Sequence, residues 1–297
     1  MLKPTSKFKT PSLGKKVFEL PSPWKPSGMG WTPYGIVFCA CNNDSRRHSR
    51  IYLNWNLLHE DEGKKSTNET IGNPLVFNGN EVVLVGENGK VFHWNGASLL
   101  QKHSTTFASV ATIWRNELFF FDTKDGEIHA RDINGIKRFK MPGSGIVLSA
   151  TAHSDGHLYC AIADAENRNH GIASSEGWLT RFNNCQCVVS YHGLLAFSVG
   201  NKVHIKDQGV QAELPCEKIM DMKVADNMVW IAGDNPACLY VANMRGDFVK
   251  VGEVTGSAKV GGSCFRTRVA VYPAGNVGYF ATAPNGNRTE VYQVVWM

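Results

Sequence analysis

The sequence predicts an all-β fold of about seven consecutive four-stranded antiparallel units. Strand-like runs fill the chain after residue 28, and no long stretch keeps the 3.6-residue apolar period of an amphipathic helix. The runs recur in groups of four, with a period of roughly 33–40 residues. The 29 glycines and the hydrophobic fraction of 43% suit this fold, since it needs many tight turns and a large core.

Turn dipeptides separate many of these runs. Asn-Gly and Asp-Gly pairs adopt positive φ at little cost, and the two-residue turns of β-hairpins require that backbone geometry. Asn-Gly lies at positions 78–79, 88–89, 95–96, 134–135 and 285–286, and Asp-Gly lies at 125–126 and 155–156. The strands on either side of these pairs are therefore expected to form antiparallel hairpins.

The clearest unit spans residues 73–104 and reads PLVF, EVVLVGE, KVFHW and SLLQKH, which are four strands joined by hairpins. The next unit repeats the scheme with ASVATIW, ELFFFDT, EIHARD and IKRFKM. Similar units occupy residues 187–215 and 219–254, looser units occupy residues 28–62 and 146–183, and a final unit begins near residue 260. This count gives about seven units, and the two looser units leave six or eight open.

Radial closure into a β-propeller is the preferred arrangement of these units. A ring hides the sheet edges that a sandwich or one long sheet of this size would expose. The last unit ends after its third strand, whereas the strand-like residues near the N-terminus have no unit of their own. Val17, Phe18 and Leu20 are therefore expected to supply the outer strand of the last blade.

This closure defines two predicted domains, a basic N-terminal arm (1–15) and a single β-propeller domain (16–297). The Pro-rich residues 21–26 are expected to connect the closing strand to the first blade. Proline suits a connector and is disfavoured in a central strand.

The chain resembles β-propeller repeat proteins in architecture over nearly its whole length, without their family signatures. It has no Trp-Asp dipeptide of WD40 repeats, and the double glycine of kelch repeats occurs once, at Gly261-Gly262. Ser154-Asp155-Gly156 lacks the spacing of the sialidase Asp-box. A signature-free propeller without a secretory signal is similar to the tail-hub and tail-nozzle proteins of short-tailed bacteriophages. That resemblance implies a structural component of a virion, assembled as a ring.

The net charge of +5 is concentrated in the N-terminal arm. The first 26 residues contain six lysines and one glutamate, so the remainder of the chain is neutral. A neutral body predicts no direct nucleic-acid site in the propeller, and attraction to an acidic partner is assigned to the arm. No stretch approaches the roughly 18 apolar residues of a membrane span. The basic arm residues of this prediction are Lys3, Lys7, Lys9, Lys15 and Lys16.

The binding surface is predicted on one face of the ring. In a propeller, the loops between second and third strands open on the same face as the links between blades. Four of these loops look long, at residues 42–49, 164–170, 234–237 and 284–288, and long loops on a rigid scaffold often carry function. Insertions that are merely tolerated remain the alternative. The candidate binding residues are Asp44, Arg46, Arg47, His48, Glu166, Arg168, His170, Asp234 and Arg288.

No catalytic residue, cofactor or metal site is predicted. Asp164, Glu166 and His170 offer acid, base or ligand groups, but solvated loop carboxylates are far commoner than catalytic ones. The Cys-x-Cys pairs at 39/41 and 185/187 place both thiols on one side of a strand, yet the spacing is not that of a structural zinc site. His153 and His157 flank a turn, and residues 245–247 form an Arg-Gly-Asp turn. Ordinary turn chemistry explains both.

These observations together predict a non-catalytic scaffold for protein partners. Its leading form is a virion tail component that assembles as a homo-oligomeric ring. A cytoplasmic propeller adaptor is the first alternative. A propeller enzyme acting on a glycan or small molecule is the second, and several carboxylates or histidines converging on the central channel would favour it. The expected location is the virion or the cytoplasm, since the N-terminus has no apolar signal-peptide core.

Overall fold

A computed structural model describes most of the 297-residue chain. The described residues are 11–42, 48–61, 71–86, 90–104, 108–124, 127–163, 170–242, 248–254, 267–272, 277–284 and 288–296; of residues 61, 101–104, 108–109, 124 and 170 only the backbone is described. These ranges contain 28 β-strands and no α-helix. The predicted fold class is therefore confirmed.

The strands form seven four-stranded antiparallel sheets, each one a propeller blade. Blade 1 contains β2 (Trp24–Thr32), β3 (Gly35–Asn42), β4 (Ser49–Leu53) and β5 (Asn56–Asp61). Blade 2 contains β6 (Leu75–Phe77), β7 (Glu81–Val85), β8 (Lys90–Trp94) and β9 (Leu99–Ser104). Blade 3 contains β10 (Ala108–Trp114), β11 (Glu117–Lys124), β12 (Glu127–Asp132) and β13 (Lys137–Lys140).

The remaining four blades follow the same order along the chain. Blade 4 contains β14 (Ile146–Ala152), β15 (Leu158–Ala163), β16 (His170–Ser174) and β17 (Gly177–Thr180). Blade 5 contains β18 (Val188–Tyr191), β19 (Leu194–Val199), β20 (Lys202–Ile205) and β21 (Gly209–Glu213). Blade 6 contains β22 (Lys218–Ala225), β23 (Met228–Asp234), β24 (Ala237–Ala242) and β25 (Phe248–Val254). Blade 7 contains β26 (Arg268–Val271), β27 (Gly278–Thr282), β28 (Thr289–Trp296) and β1 (Pro11–Leu20).

Closure of the ring joins the two ends of the chain in blade 7. β1 pairs antiparallel with β28, from Pro11 opposite Trp296 to Leu20 opposite Thr289. The outer strand of the last blade thus comes from the N-terminus, as the sequence predicts. The first strands of neighbouring blades touch in cyclic order, and β26 of blade 7 contacts β2 of blade 1.

Seven apolar clusters hold the blades together, one between each pair of neighbours. The alternation of side chains along a strand explains this arrangement, because successive residues point to opposite faces of a sheet. In β7, Val82 and Leu84 pack against blade 1, and Val83 and Val85 pack against blade 3. A second strand buried on both faces reads as a continuous apolar run, which is what the sequence shows here.

Hydrogen bonds also join neighbouring blades close to the ring axis. In each case a polar side chain on or just before a first strand binds the backbone of the adjacent first strand. These bonds join Asn73 Oδ1 to Met29 N (3.0 Å), Ser149 Oγ to Val188 N (3.3 Å) and Asp221 Oδ2 to Val269 N (3.2 Å). They satisfy backbone donors at the inner edges of blades 1, 5 and 7, where no further strand can pair.

The closing strand is longer than expected at its N-terminal end. The sequence analysis places residues 11–15 in the basic arm, whereas β1 begins at Pro11 and includes Lys15 and Lys16. Pro11 and Gly14 are residue types that are disfavoured in the middle of a sheet. Because β1 is the outer strand of its blade, its free edge tolerates residues that would weaken a central strand.

The first strand of blade 1 also begins earlier than expected. Trp24, Lys25 and Pro26, which the sequence analysis places in a connector, belong to β2 and are buried. The pairing of β2 with β3 is interrupted by a bulge between Pro26 and Gly28. A bulge removes the need for a ladder N–H, which proline lacks, so the inner strand accommodates it.

Several hairpin turns have positive φ at both central residues, in some places without glycine, whereas at the expected pairs 95–96, 134–135 and 155–156 only the glycine has positive φ. The expected Asn78-Gly79 pair has φ values of 50° and 78°. Arg115-Asn116 (53°, 60°) and Asp226-Asn227 (51°, 56°) form equivalent turns that the dipeptide search misses. The expected turn pairs at 88–89, 125–126 and 285–286 lie outside the described residues.

Candidate functional site

The ring has two faces, which we name by their connections. The loop face carries the links between second and third strands and the links between blades, and the turn face carries the remaining hairpin turns. The second-to-third links at 43–48, 164–169 and 283–288 separate strands of blades 1, 4 and 7. The link at Asn235-Pro236 has only two residues, because β23 extends to Asp234 and β24 begins at Ala237. The long loop expected there is therefore short.

Three of the nine predicted binding residues have described side chains, and all three lie on the loop face. His48, Asp234 and Arg288 belong to blades 1, 6 and 7, which are consecutive in the ring. The side chains of Asp44, Arg46, Arg47, Glu166, Arg168 and His170 lie outside the described part. Their common role in binding stays a prediction.

Each of these three side chains has an intramolecular contact. His48 Nδ1 lies 3.9 Å from Glu60 Oε1. Arg288 binds Glu19 Oε1 at 3.1 Å and Glu290 Oε1 at 2.9 Å, so it ties β28 to the closing strand. Asp234 is only 7% exposed, and burial raises the pKa of its carboxyl above the ordinary value.

The closing strand itself is anchored by an aromatic side chain. Phe18 lies 5.8 Å from Phe38, 5.1 Å from Tyr52 and 5.3 Å from Trp55, measured between ring centroids. All three of these aromatic residues belong to blade 1, so Phe18 joins blade 7 to blade 1. Val17 packs against the same cluster, and Leu20 is a buried member of it.

The lysines of the predicted arm fall into two groups. Lys3, Lys7 and Lys9 lie outside the described residues. Lys15 and Lys16 lie in β1, and Lys16 forms ion pairs with Glu19 and, at 3.3 Å, with Glu290. The hydrogen bond to Glu19 raises the pKa of Lys16. This charge therefore contributes to local contacts of the closing strand.

The turn face carries most of the exposed large apolar side chains of the described residues. Seven of the nine lie in or beside its turns, or in the adjoining half of a strand. These seven are Leu57, Leu58, Leu100, Ile136, Val210, Val224 and Tyr272, and the other two, Ile146 and Phe182, lie toward the loop face. The sequence analysis did not single out this face, since strand ends carry no marker of whether a neighbour covers them.

A pocket of about 360 Å³ opens on the turn face at blades 4 and 5. Tyr159 OH donates a hydrogen bond of 2.7 Å to Asp155 Oδ2, and Lys206 Nζ lies 2.8 Å from the same hydroxyl. His157 Nδ1 lies 3.6 Å from Glu176 Oε1 at the rim. The charged groups of this pocket are thus paired with one another.

A central cavity of about 440 Å³ lies on the ring axis, lined mainly by the first strands of blades 2 to 7. Most of its lining is apolar or neutral. The charged lining residues that the structure describes are Asp221 and Lys223 on β22 and Arg268 on β26, and they form one wall. Asp221 is the one carboxylate among the described lining residues.

The cysteines singled out in the sequence lie in the core. Cys39, Cys41, Cys185 and Cys187 are buried, and burial raises the pKa of Cys39 and of Cys185 to about 12. Without a bound metal ion, these two thiols therefore stay protonated at neutral pH. The described residues contain no cluster of three or more His, Cys, Asp or Glu side chains arranged to hold a metal ion.

The last two sequence motifs are the histidines beside the turn of blade 4 and the Arg-Gly-Asp turn. His153 Nδ1 lies 2.9 Å from Ser190 Oγ, so it joins the turn of blade 4 to blade 5. The Arg-Gly-Asp turn at 245–247 lies outside the described residues. Within the described part of the chain, there is no helix long and apolar enough to cross a membrane.

Comparison with known proteins supports the fold. No protein-family model matches the chain, and no curated protein matches it in sequence. A chain in the solved structure entitled "Crystal Structure of Mitotic Checkpoint Complex" is similar over 99% of this chain and 95% of that chain, with a TM-score of 0.63 and 13% identity. At this identity the likeness concerns the fold alone. It gives no support to the resemblance to bacteriophage tail proteins.

Proposed function

We propose that this seven-bladed propeller is a non-catalytic scaffold that binds protein partners through its turn face. The observation that carries the proposal is the set of exposed apolar side chains on that face. Water contact with large apolar groups is costly, and a protein partner that covers them removes that cost. The closed ring holds these side chains in fixed relative positions, so little further ordering is needed when the partner binds.

The partner is expected to present apolar side chains of its own. Leu57 and Leu100 lie at corresponding positions near the start of the outer strands β5 and β9, and they are 52% and 50% exposed. Two neighbouring blades therefore offer matching aliphatic contacts. The loop face, with His48, Asp234 and Arg288, remains a second predicted surface.

Glutamate substitutions test which face binds. The double variant Leu57→Glu/Leu100→Glu should lose partners that copurify with the wild-type protein from its natural source. Because both side chains are exposed, each substitution should change the free energy of unfolding by about 0.5 kcal/mol or less, and the melting temperature should change little. The readout is quantitative affinity capture followed by mass spectrometry.

A matched variant of the loop face serves as control. Ile146→Glu/Phe182→Glu changes the exposed apolar side chains that lie toward the opposite face and should retain the same partners. If the loop-face variant loses the partners and the turn-face variant keeps them, the turn face is the wrong surface. If both variants keep every partner, the scaffold proposal itself fails.

The finer form of the proposal is a ring-forming component of a virion tail, with a cytoplasmic adaptor as the alternative. It rests on the sequence resemblance and on the basic arm. The mass of the native particle tests it, as developed in the Discussion. An enzyme acting on a glycan or small molecule remains the alternative from another class, and a screen of hydrolase substrates addresses it.

A further inference from the structure

One wall of the central cavity carries two cationic side chains and one carboxylate. Strand alternation places Asp221 and Lys223 on the same side of β22, toward β26 of the next blade. Lys223 Nζ lies 3.9 Å from Asp221 Oδ1, and Arg268 Nη1 lies 3.6 Å from the same oxygen. The described charges of this wall therefore sum to a net positive charge.

The carboxylate of Asp221 is already engaged in holding the ring together. Its Oδ2 accepts the backbone N–H of Val269 at 3.2 Å, and Val269 belongs to the neighbouring blade. Both cations lie near its other oxygen. Asp221 thus joins blade 6 to blade 7 and cannot turn toward a ligand without breaking that bond.

Lys223 is the charged group that remains accessible from the cavity. Its side chain is 29% exposed, whereas those of Asp221 and Arg268 are 5% exposed. Burial lowers the pKa of Lys223, the nearby Asp221 carboxylate raises it to a smaller extent, and Arg268 lowers it further. The attraction of Asp221 therefore does not fully offset the hydration that the Lys223 ammonium group has lost. A second anion beside Lys223 would add the missing electrostatic stabilisation of its charge.

The rest of the cavity suits a small polar ligand. Its volume of about 440 Å³ falls within the range of small-molecule sites. Thr112, Ser149 and Ser190, which have hydroxyl side chains, are lining residues on blades 3 to 5. Ser149 Oγ bonds Val188 and Ser190 Oγ bonds His153, so these blades give the cavity a polar but uncharged side opposite the cationic wall.

We propose that the central cavity binds a small anion, a carboxylate or phosphate compound, through Lys223 with Arg268 beside it. Lys223 supplies N–H donors to the anionic oxygens, and Arg268 adds positive charge behind it; charge-assisted hydrogen bonds of this kind are stronger than neutral ones. The site is independent of the turn face and of any protein partner. An anion bound here would contact the wall that joins blades 6 and 7, so it would also stabilise the closed ring.

The test compares citrate and inorganic phosphate as probes, at constant ionic strength set with chloride. Isothermal titration and thermal melting of the full-length protein should show saturable binding and stabilisation by at least one probe. Lys223→Gln should weaken that binding about tenfold or more, because it removes a charged donor. Lys223→Arg should retain it.

Two further variants separate an anion site from a structural role. Asp221→Asn removes the opposing negative charge while keeping an acceptor oxygen for Val269 N–H, and it should strengthen anion binding. Lys250→Gln removes an exposed lysine of β25, which pairs with Glu253 at 2.7 Å, and it should leave binding unchanged. If the cluster has only a structural role, Lys223→Gln and Asp221→Asn should both lower the stability of the protein without changing its affinity for the probes.

Several outcomes would overturn the proposal. No saturable binding of either probe, or equal binding by wild type and Lys223→Gln, would each do so. Weaker binding by Asp221→Asn would contradict the charge argument, provided that its melting temperature without probe matches that of the wild type. A ligand-dependent shift that Lys250→Gln also abolishes would assign the effect to the protein surface.

Discussion

Asp234 shows at the scale of one residue how burial changes the role of a side chain. It ends β23 at the loop face, where the sequence suggests a solvated binding group, yet it is nearly buried. Its Oδ1 accepts the backbone N–H of Asn235 at 3.0 Å. A carboxylate in this position loses hydration that one hydrogen bond does not replace.

This burial predicts the sign of a substitution. The pKa of Asp234 is raised above 3.8, mainly by burial, so its contribution to the free energy of unfolding is greatest below pH 3.8 and is lost as the pH rises through the folded-state pKa. Asp234→Asn cannot ionise and keeps the acceptor oxygen. We expect a higher melting temperature than the wild type at pH 7, with a difference that shrinks toward pH 4, measured by thermal melting across this range.

Asp155 provides a control of opposite sign. Burial alone raises the pKa of its carboxyl. Hydrogen bonds from His157 N–H and Tyr159 OH, together with other contacts, lower the pKa by a larger amount, so the net pKa is below the ordinary value. Its contribution is therefore present above pH 3.8 and is lost in acid. Asp155→Asn should lower the melting temperature at pH 7. If Asp234→Asn lowers it equally, the burial argument is wrong.

The closing strand is the element on which the ring depends. β1 supplies the outer strand of blade 7, and Phe18 contacts three aromatic rings of blade 1. Its loss would leave β28 with an open edge and uncover the cluster between blades 7 and 1. The stability of the closed ring therefore depends on a short N-terminal segment.

Deletions test this dependence. Removal of residues 1–10 should leave the melting temperature unchanged, whereas removal of residues 1–20 should lower it strongly. Phe18→Ala should cost about 2–4 kcal/mol, somewhat less than a fully buried phenylalanine, in chemical unfolding. Val210→Ala, on the exposed outer strand β21, is the control and should cost little. Equal melting of the 1–20 deletion and the full chain would contradict the closure.

Sequence reasoning succeeded for these elements because their signals are local. Alternating apolar runs, Asn-Gly turns and an unassigned strand at Val17 to Leu20 predict seven blades and their closure. It failed where the signal depends on distant residues. Pro26 lies in the innermost strand of blade 1, where a bulge in the pairing with β3 accommodates it. A search for Asn-Gly and Asp-Gly pairs also misses Arg115-Asn116, which forms a turn without glycine.

The wall formed by Asp221, Lys223 and Arg268 was likewise beyond sequence reasoning. It joins strands of two different blades, and nothing in either strand indicates the other. The exposed side chains of the turn face share this limitation. Leu57 and Val82 are both strand residues, yet one is 52% exposed and the other is fully buried, because only blade packing distinguishes them.

At the scale of the whole molecule, the open question is whether the ring acts alone or in a larger assembly. The chain has a mass of 32.8 kDa. Both faces of the closed disc are available for stacking, and the short free edges of the outer strands are available for lateral contacts.

The native mass decides between these forms. Light scattering on the purified protein and on material from its natural source should give a multiple of 32.8 kDa if the protein forms a ring of subunits. The turn-face variant Leu57→Glu/Leu100→Glu should then reduce that mass if the same apolar side chains make the subunit contacts. A particle of monomer mass in both preparations would contradict the virion-ring hypothesis and favour an adaptor.

The union of both chain ends in blade 7 has a consequence for biosynthesis. Pro11 pairs with Trp296, so β1 waits on the ribosome until β28 has been synthesised. At typical elongation rates this interval is roughly 15–60 s. During that time Phe18 and the unpaired edge of β1 stay without their final neighbours, and blades 1 to 6 assemble as an open arc. The nascent chain therefore exposes apolar side chains of β1, and the translating cell must keep them from other chains until β28 has been made.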